Sequence, residues 1–252
     1  MSNPEELRLL EISQQVDHTV GLAGTVMAYA CQVAMRWLSP GARVLELGPA
    51  EGLMTQMLLD HGYSVDAVEG SPHFAEALAS TNPGAKIHCS LFEDFEPSER
   101  FDFVIASHVL EHVHTPRVIV DKIATYLRPG GMVFAAVPNS HSLHRQAAVA
   151  MGMLERENSL NEADVRLGHR RVYDLADLRA EFIQHQWKHE FTGGYWLKPL
   201  SNSQIDGVWN PQQIQAFCEL GEVYPDIAGE IYIVARRRIT PSKYAFQPAD
   251  DK

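Results

Sequence analysis

Two acids set one strand apart raise the question of what this chain does chemically. Residues 44–52 read VLELGPAEG, so Glu46 lies in an apolar run that breaks into a glycine-bearing turn. A second run, SVDAVEG, ends in Glu69 and Gly70, twenty-one positions beyond Gly48. A carboxylate at such a strand end is placed to accept hydrogen bonds from both hydroxyls of a ribose. An acid just ahead of the turn repels phosphate and suits a ligand with an ammonium group. The phosphate-binding alternatives fail on spacing. A dinucleotide fingerprint needs glycine where Ala50 and Leu53 stand, and a P-loop needs a lysine after Gly52. The residues ask for a nucleoside with a positive, phosphate-free tail.

A second set of chemistry-bearing residues follows. PNSHSLHRQ offers Asn139, His141, His144 and Arg145, and GHRRVYD offers His169, Arg170 and Tyr173. In a helix, His141 and His144 would share a face. Histidine takes protons near neutral pH, so the expected base is His141 or His144, with His169 in reserve. Arginine orients anionic or carbonyl-rich molecules. With Tyr195 and Lys198, Trp196 offers one wall of a pocket. Two histidines without a fixed third ligand do not make a metal site, and none is expected. His112 reads as a packed helix residue.

These residues need a scaffold. Strand-like runs at 42–48, 64–70, 86–90, 101–109 and 132–139 alternate with helical stretches that begin near Leu53, Pro72 and Pro116. That rhythm predicts an α/β fold with a parallel sheet covered by helices on both faces. Ligands then bind beyond the carboxyl ends of the strands. The rhythm breaks at residues 140–173, a polar insertion placed to form a substrate cap. Residues 1–38 read as an N-terminal helical lid or a dimer face, and 229–238 as a last strand.

Five segments in order carry a resemblance. VLELGPAEG resembles the first motif of class I S-adenosylmethionine-dependent methyltransferases, and DAVEGSP their ribose-binding strand end. SLFEDFEP is similar to the segment over the adenine, FDFVIASHVLEHV to the fourth-strand motif, and LRPGGMVFAAVPN to the fifth strand. VPN-x-HSLHR followed by LGHRRVYD looks like small-molecule methyltransferases of biosynthesis. The resemblance implies a single Rossmann-like domain over 1–252, with a seven-stranded, mostly parallel sheet whose last strand is antiparallel. It implies S-adenosylmethionine as cofactor and S-adenosylhomocysteine as product. Gly48, Ala50 and Gly52 would let the backbone approach the amino acid tail, and Glu46 would meet its ammonium. Glu69 with Gly70 would hold the ribose, Leu91 and Phe92 the adenine, and Ser107 and His108 the methionyl part. Ala50 departs from the family's usual glycine, and alanine is tolerable there if its φ is negative.

Composition narrows the partners. The 252 residues are 45% hydrophobic, enough for one sizeable core, and 32 acids against 21 bases give a net charge of -11. Nucleic acid binding needs clustered Lys and Arg, and the one basic run, Arg236–Arg238, reads as a solvated strand exit. The three cysteines are widely spaced and read as small core residues. The first residues are polar, and no run is long enough to span a bilayer, which implies a cytoplasmic protein. The expected activity is methyl transfer to oxygen or nitrogen of a small-molecule acceptor, and a homodimer is admitted. A macromolecular acceptor (protein or tRNA) and a non-catalytic cofactor-binding subunit are the alternatives.

Overall fold

The computed structural model describes residue 8 and residues 20–183 and 186–239. Seven strands form one sheet: β1 (Arg43–Leu47), β2 (Ser64–Glu69), β3 (Lys86–Cys89), β4 (Phe101–Ser107), β5 (Leu127–Pro138), β6 (Trp187–Tyr195) and β7 (Glu230–Arg237). Their order is β3-β2-β1-β4-β5-β7-β6. The first five pair in parallel, and β7 runs antiparallel between β5 and β6. The antiparallel β7 starts at the edge where β4 and β5 end, with Glu230 opposite Pro138 and Tyr195.

The period-two alternation of strand side chains sorts the core into two layers. Leu45, Leu47, Val104, Ala106, Val133 and Ala135 face α4 (Pro116–Tyr126) and α7 (Leu175–Glu181). Val44, Phe103, Ile105 and Phe134 face α1 (Gly21–Met35), α2 (Leu53–Asp60) and α9 (Pro211–Val223). By the same alternation Glu46, Glu69 and Ser107 stand on this second face.

α3 (Pro72–Thr81) starts with Pro72 at its first turn, and the Ser71 hydroxyl caps it from Phe74 N–H. The insertion after β5 carries α5 (Leu143–Ala150) and α6 (Glu162–Arg166). A four-residue helix, α8 (Asn202–Ile205), precedes α9.

Several expectations change. α1 is a core layer rather than a lid: Leu22, Tyr29, Ala30, Cys31, Val33 and Ala34 are buried, and it packs on α2 and α9. The first half of the predicted lid, residues 1–19, lies outside the described residues apart from Arg8. Arg8 donates to the carbonyls of Gly168 and His112. Cys31 and Cys218 are buried, but Cys89 is exposed on β3, the sheet's edge strand. The Arg236–Arg238 run is tied to its own chain, through Glu190 and the carbonyls of Gly130, Leu127 and Trp187. No helix among the described residues is long and apolar enough to cross a membrane.

Candidate active site

The turn after β1 is held in three left-handed residues, Gly48 (φ +64), Ala50 (φ +49) and Gly52 (φ +85). The condition under which alanine is tolerable at position 50, a negative φ, is not met. The φ of Ala50 is +49, and its N–H donates to Glu69 Oε2 at 3.4 Å. Packing requires glycine at position 52. A Cβ on Gly52 would lie 2.2 Å from Leu78 Cδ1 and 2.4 Å from Asn82 Oδ1, both on or beside α3. One on Gly48 would meet Phe92 and Val109 at 3.5 Å, so the Phe92 ring lies over the turn.

Both acids at this edge are buried. Glu46 accepts from the Thr55 hydroxyl at 2.6 Å, and burial pushes its carboxyl up to about 7, with Glu69 adding to the rise. Glu69 accepts from Ser71 N–H at 2.7 Å, and burial pushes it up to about 7 against those backbone bonds. Gly70 lies between them in the turn, and Leu91 and Phe92 are half-buried beyond β3. Ser107 Oγ is buried beside the Tyr195 hydroxyl. Two buried acids, a buried hydroxyl and a half-buried glycine-bearing turn fit a ligand with a diol and an ammonium.

A polar cluster lies at the ends of β4, β5 and β6. His108 takes a left-handed φ of +55 and pairs through Nδ1 with Glu111 at 3.1 Å. Its Nε2 is 3.7 Å from Glu230. Burial alone would lower its basicity, but Glu230 and Glu111 reverse this and raise it to about 9. Glu230 is pushed up by burial. Lys198 is lowered by burial, between Glu230 and Asp164.

The structure distributes the predicted catalytic and substrate residues unevenly. His144 opens α5. Burial, with Lys198 and Arg145 nearby, depresses it to about 3, and its Nδ1 is buried without a partner. His141 precedes α5, so the shared helix face does not form. Its N–H turns back onto Asn139 Oδ1, and its exposed ring is 3.5 Å from Glu157. His169 is half-buried, with Nδ1 3.3 Å from Asp164 Oδ1.

Most of the predicted substrate contacts are engaged inside the chain. The Asn139 amide donates to the carbonyls of Asp226 and Ala228. Arg145 is buried, holding Asp164 at 3.0 Å and the carbonyls of Glu157 and Ser159. Tyr173 is 3% exposed, and burial raises its phenol. Trp196 is core, edge-on to Trp209. Arg170 bonds the His112 carbonyl at 2.8 Å. His112 lies in the turn after β4, not in a helix.

Sequence reasoning placed Lys198 only in a pocket wall beside Trp196, and it missed Glu111, Asp164 and Glu230. Glu111 was visible in the quoted LEH, but Glu230 and Lys198 reach the site only through β6 and β7.

Residues 25–189, more than half of the chain, match the family model described as a methyltransferase domain. The ubiquinone biosynthesis O-methyltransferase of Nitrobacter winogradskyi is 33% identical over 110 residues, 39% of this chain and 40% of that protein. That of Xanthomonas campestris pv. campestris is 33% identical over 113 residues, 42% and 47% of the two chains. The chain thus spans less than half the length of these relatives. Among solved structures, an S-adenosylmethionine-dependent methyltransferase from Mesorhizobium loti superposes with a TM-score of 0.63 at 19% identity, covering 86% of this chain and all 100% of that one. The 1,6-didemethyltoxoflavin-N1-methyltransferase of Burkholderia thailandensis, with its acceptor and S-adenosylhomocysteine bound, gives 0.60 at 16%, covering 95% and 92%. The chain belongs to the methyltransferase-domain family and has the class I, S-adenosylmethionine-dependent methyltransferase fold.

Proposed function

We propose that the protein methylates an oxygen or nitrogen atom of a small metabolite. The observation that carries this reading is the pair of buried acids, Glu46 and Glu69, on the face of the sheet that also presents Ser107. When bound, S-adenosylmethionine supplies a methyl group already activated on a positive sulfur. Glu69 accepts the ribose hydroxyls, and Glu46, held by Thr55, faces the ammonium. Leu91 and Phe92 border the adenine, and Ser107 and His108 lie under the methionyl part. The burial of these groups keeps water from the reacting atoms.

The acceptor must lose a proton. As its bond to carbon forms, that proton becomes strongly acidic, so a weakly basic, uncharged imidazole is sufficient. His144 has that character, with a free ring nitrogen beside Lys198. His141 is solvent-exposed at the rim, and His169 is held by Asp164. Arg170 borders the same cluster from the insertion, whose helices α5 and α6 form the cap.

A small acceptor is supported by the names of the relatives and by the acidic charge, which opposes polyanions. The test is incubation with radiolabelled S-adenosylmethionine and a panel of phenols and amines. Label is expected in the small-molecule fraction, and His144→Ala should lower turnover about 100-fold. Label confined to added protein or RNA contradicts the reading.

A further inference from the structure

Glu111 and His112 are consecutive in the turn after β4, and His169 reaches them from the far end of the insertion. Each offers one ligating atom, and the three atoms lie within 4.8 Å of one another. Glu111 is fully buried, at 0% exposure. Its Oε1 pairs with His108, while Oε2 has no hydrogen-bond partner among the described residues. Native proteins seldom leave a buried carboxylate oxygen without a donor or a cation.

The surroundings are built. Arg170 ties the two halves together, its N–H on the Glu111 carbonyl and its Nε on the His112 carbonyl, both at 2.8 Å. The His112 and His169 rings meet edge to face, 4.8 Å apart. Behind His169 stands Asp164, 3.3 Å from Nδ1. Asp164 is itself fixed by Arg145 at 3.0 Å and by Asn161 N–H at 2.9 Å. A carboxylate behind the second ring nitrogen is the usual support of a metal-ligating histidine.

We propose that Glu111, His112 and His169 bind a divalent transition-metal cation, with Asp164 orienting His169. Two imidazoles and one carboxylate suit Zn²⁺, Co²⁺ or Mn²⁺, whereas Mg²⁺ and Ca²⁺ prefer oxygen ligands throughout. Binding draws the ligating atoms in to separations of roughly 3.3 Å, set by metal–ligand bonds of about 2 Å. Three protein ligands leave at least one position open. The cation would tie the insertion to the end of β4. On the methyltransferase reading above, it would also make an acceptor hydroxyl in the open position more acidic. The cation site itself does not depend on that reading.

The test uses the tag-free full chain, stripped with a chelator and titrated calorimetrically with Zn²⁺ and Mn²⁺. S-adenosylhomocysteine binding is measured on the same samples. One Zn²⁺ per chain is expected, with Mn²⁺ weaker. Glu111→Gln and His169→Gln should each weaken Zn²⁺ at least about tenfold, and His169→Gln should leave S-adenosylhomocysteine affinity unchanged. Should either variant fail to fold, the wild type loaded with Co²⁺ reports ligation by its visible spectrum, and a spectrum of fully hydrated Co²⁺ overturns the proposal. So does wild-type Zn²⁺ binding weaker than about 100 μM, since a built three-ligand site is tighter than that, or Zn²⁺ binding unchanged in both variants. Zn²⁺ bound without S-adenosylhomocysteine would sink the functional reading and leave the cation site standing. The converse would do the opposite.

Discussion

The amide of Ala50 donates to the carboxylate of Glu69 across 3.4 Å, which locks the turn after β1 to the end of β2. The bond is made by a residue in left-handed backbone, φ +49, where an L-residue with a Cβ is strained by about 1–2 kcal/mol. Ala50→Gly removes that strain but adds about 0.5–1 kcal/mol of unfolded-chain entropy. The expected result is a variant at least as stable as the parent in thermal unfolding. A clear loss of stability would mean that the Ala50 methyl makes packing contacts.

Gly52 responds in the opposite sense. A methyl group there meets Leu78 and Asn82 at 2.2 and 2.4 Å, on a backbone at φ +85. Overpacking of about 1–3 kcal/mol adds to left-handed strain. Gly52→Ala should lower the melting temperature by roughly 4–20 °C, about 2–5 kcal/mol at about 2–4 °C per kcal/mol. A shift under about 2 °C would show that α3 yields easily.

Arg145 is the buried staple of the insertion. Arg145→Met leaves the Asp164 carboxylate without its cation and two carbonyls without donors. Breaking such a buried pair costs about 3–5 kcal/mol. Amide hydrogen exchange should accelerate across residues 155–166, while S-adenosylhomocysteine affinity stays within about threefold. Unchanged exchange would remove Arg145 from this structural role.

The pH dependence follows from two acids. Burial raises both Glu46 and Glu69 from 4.5 to about 7. Their contribution to stability is full below the unfolded value of 4.5 and is lost as pH rises through 7. A ligand that places an ammonium and a diol on the ionised carboxylates acts the other way and releases their protons. Affinity for S-adenosylhomocysteine should rise up to about 100-fold between pH 6 and pH 8, about tenfold for each acid, and the rise should shrink to about tenfold in Glu46→Gln. A flat profile would mean that both acids are already ionised in the free protein.

The sheet and the turn after β1 were legible in the sequence because their signals are local. Apolar runs, a glycine turn and an acid at the next strand end all follow from contiguous residues. The polar cluster was not, because it is assembled over distance. Glu230 reaches His108 only because β7 runs antiparallel, and Lys198 enters from beyond β6. Asn139, Arg145, Tyr173 and Trp196 illustrate the converse. Their polar or aromatic character pointed to a ligand, yet the backbone carbonyls and core that engage them lie far along the chain. The left-handed φ of Ala50 was hidden because alanine ordinarily avoids it.

The central claim rests on Glu69 as the ribose acceptor, and calorimetric titration with S-adenosylhomocysteine tests it most directly. Wild type should bind at micromolar concentrations, and Glu69→Gln should bind about 100-fold more weakly. That loss corresponds to two charge-assisted hydrogen bonds of about 1.5–3 kcal/mol each, partly retained by the amide. Wild-type binding unaltered by Glu69→Gln, or no binding by the wild type at all, would contradict the assignment of this turn as the cofactor site.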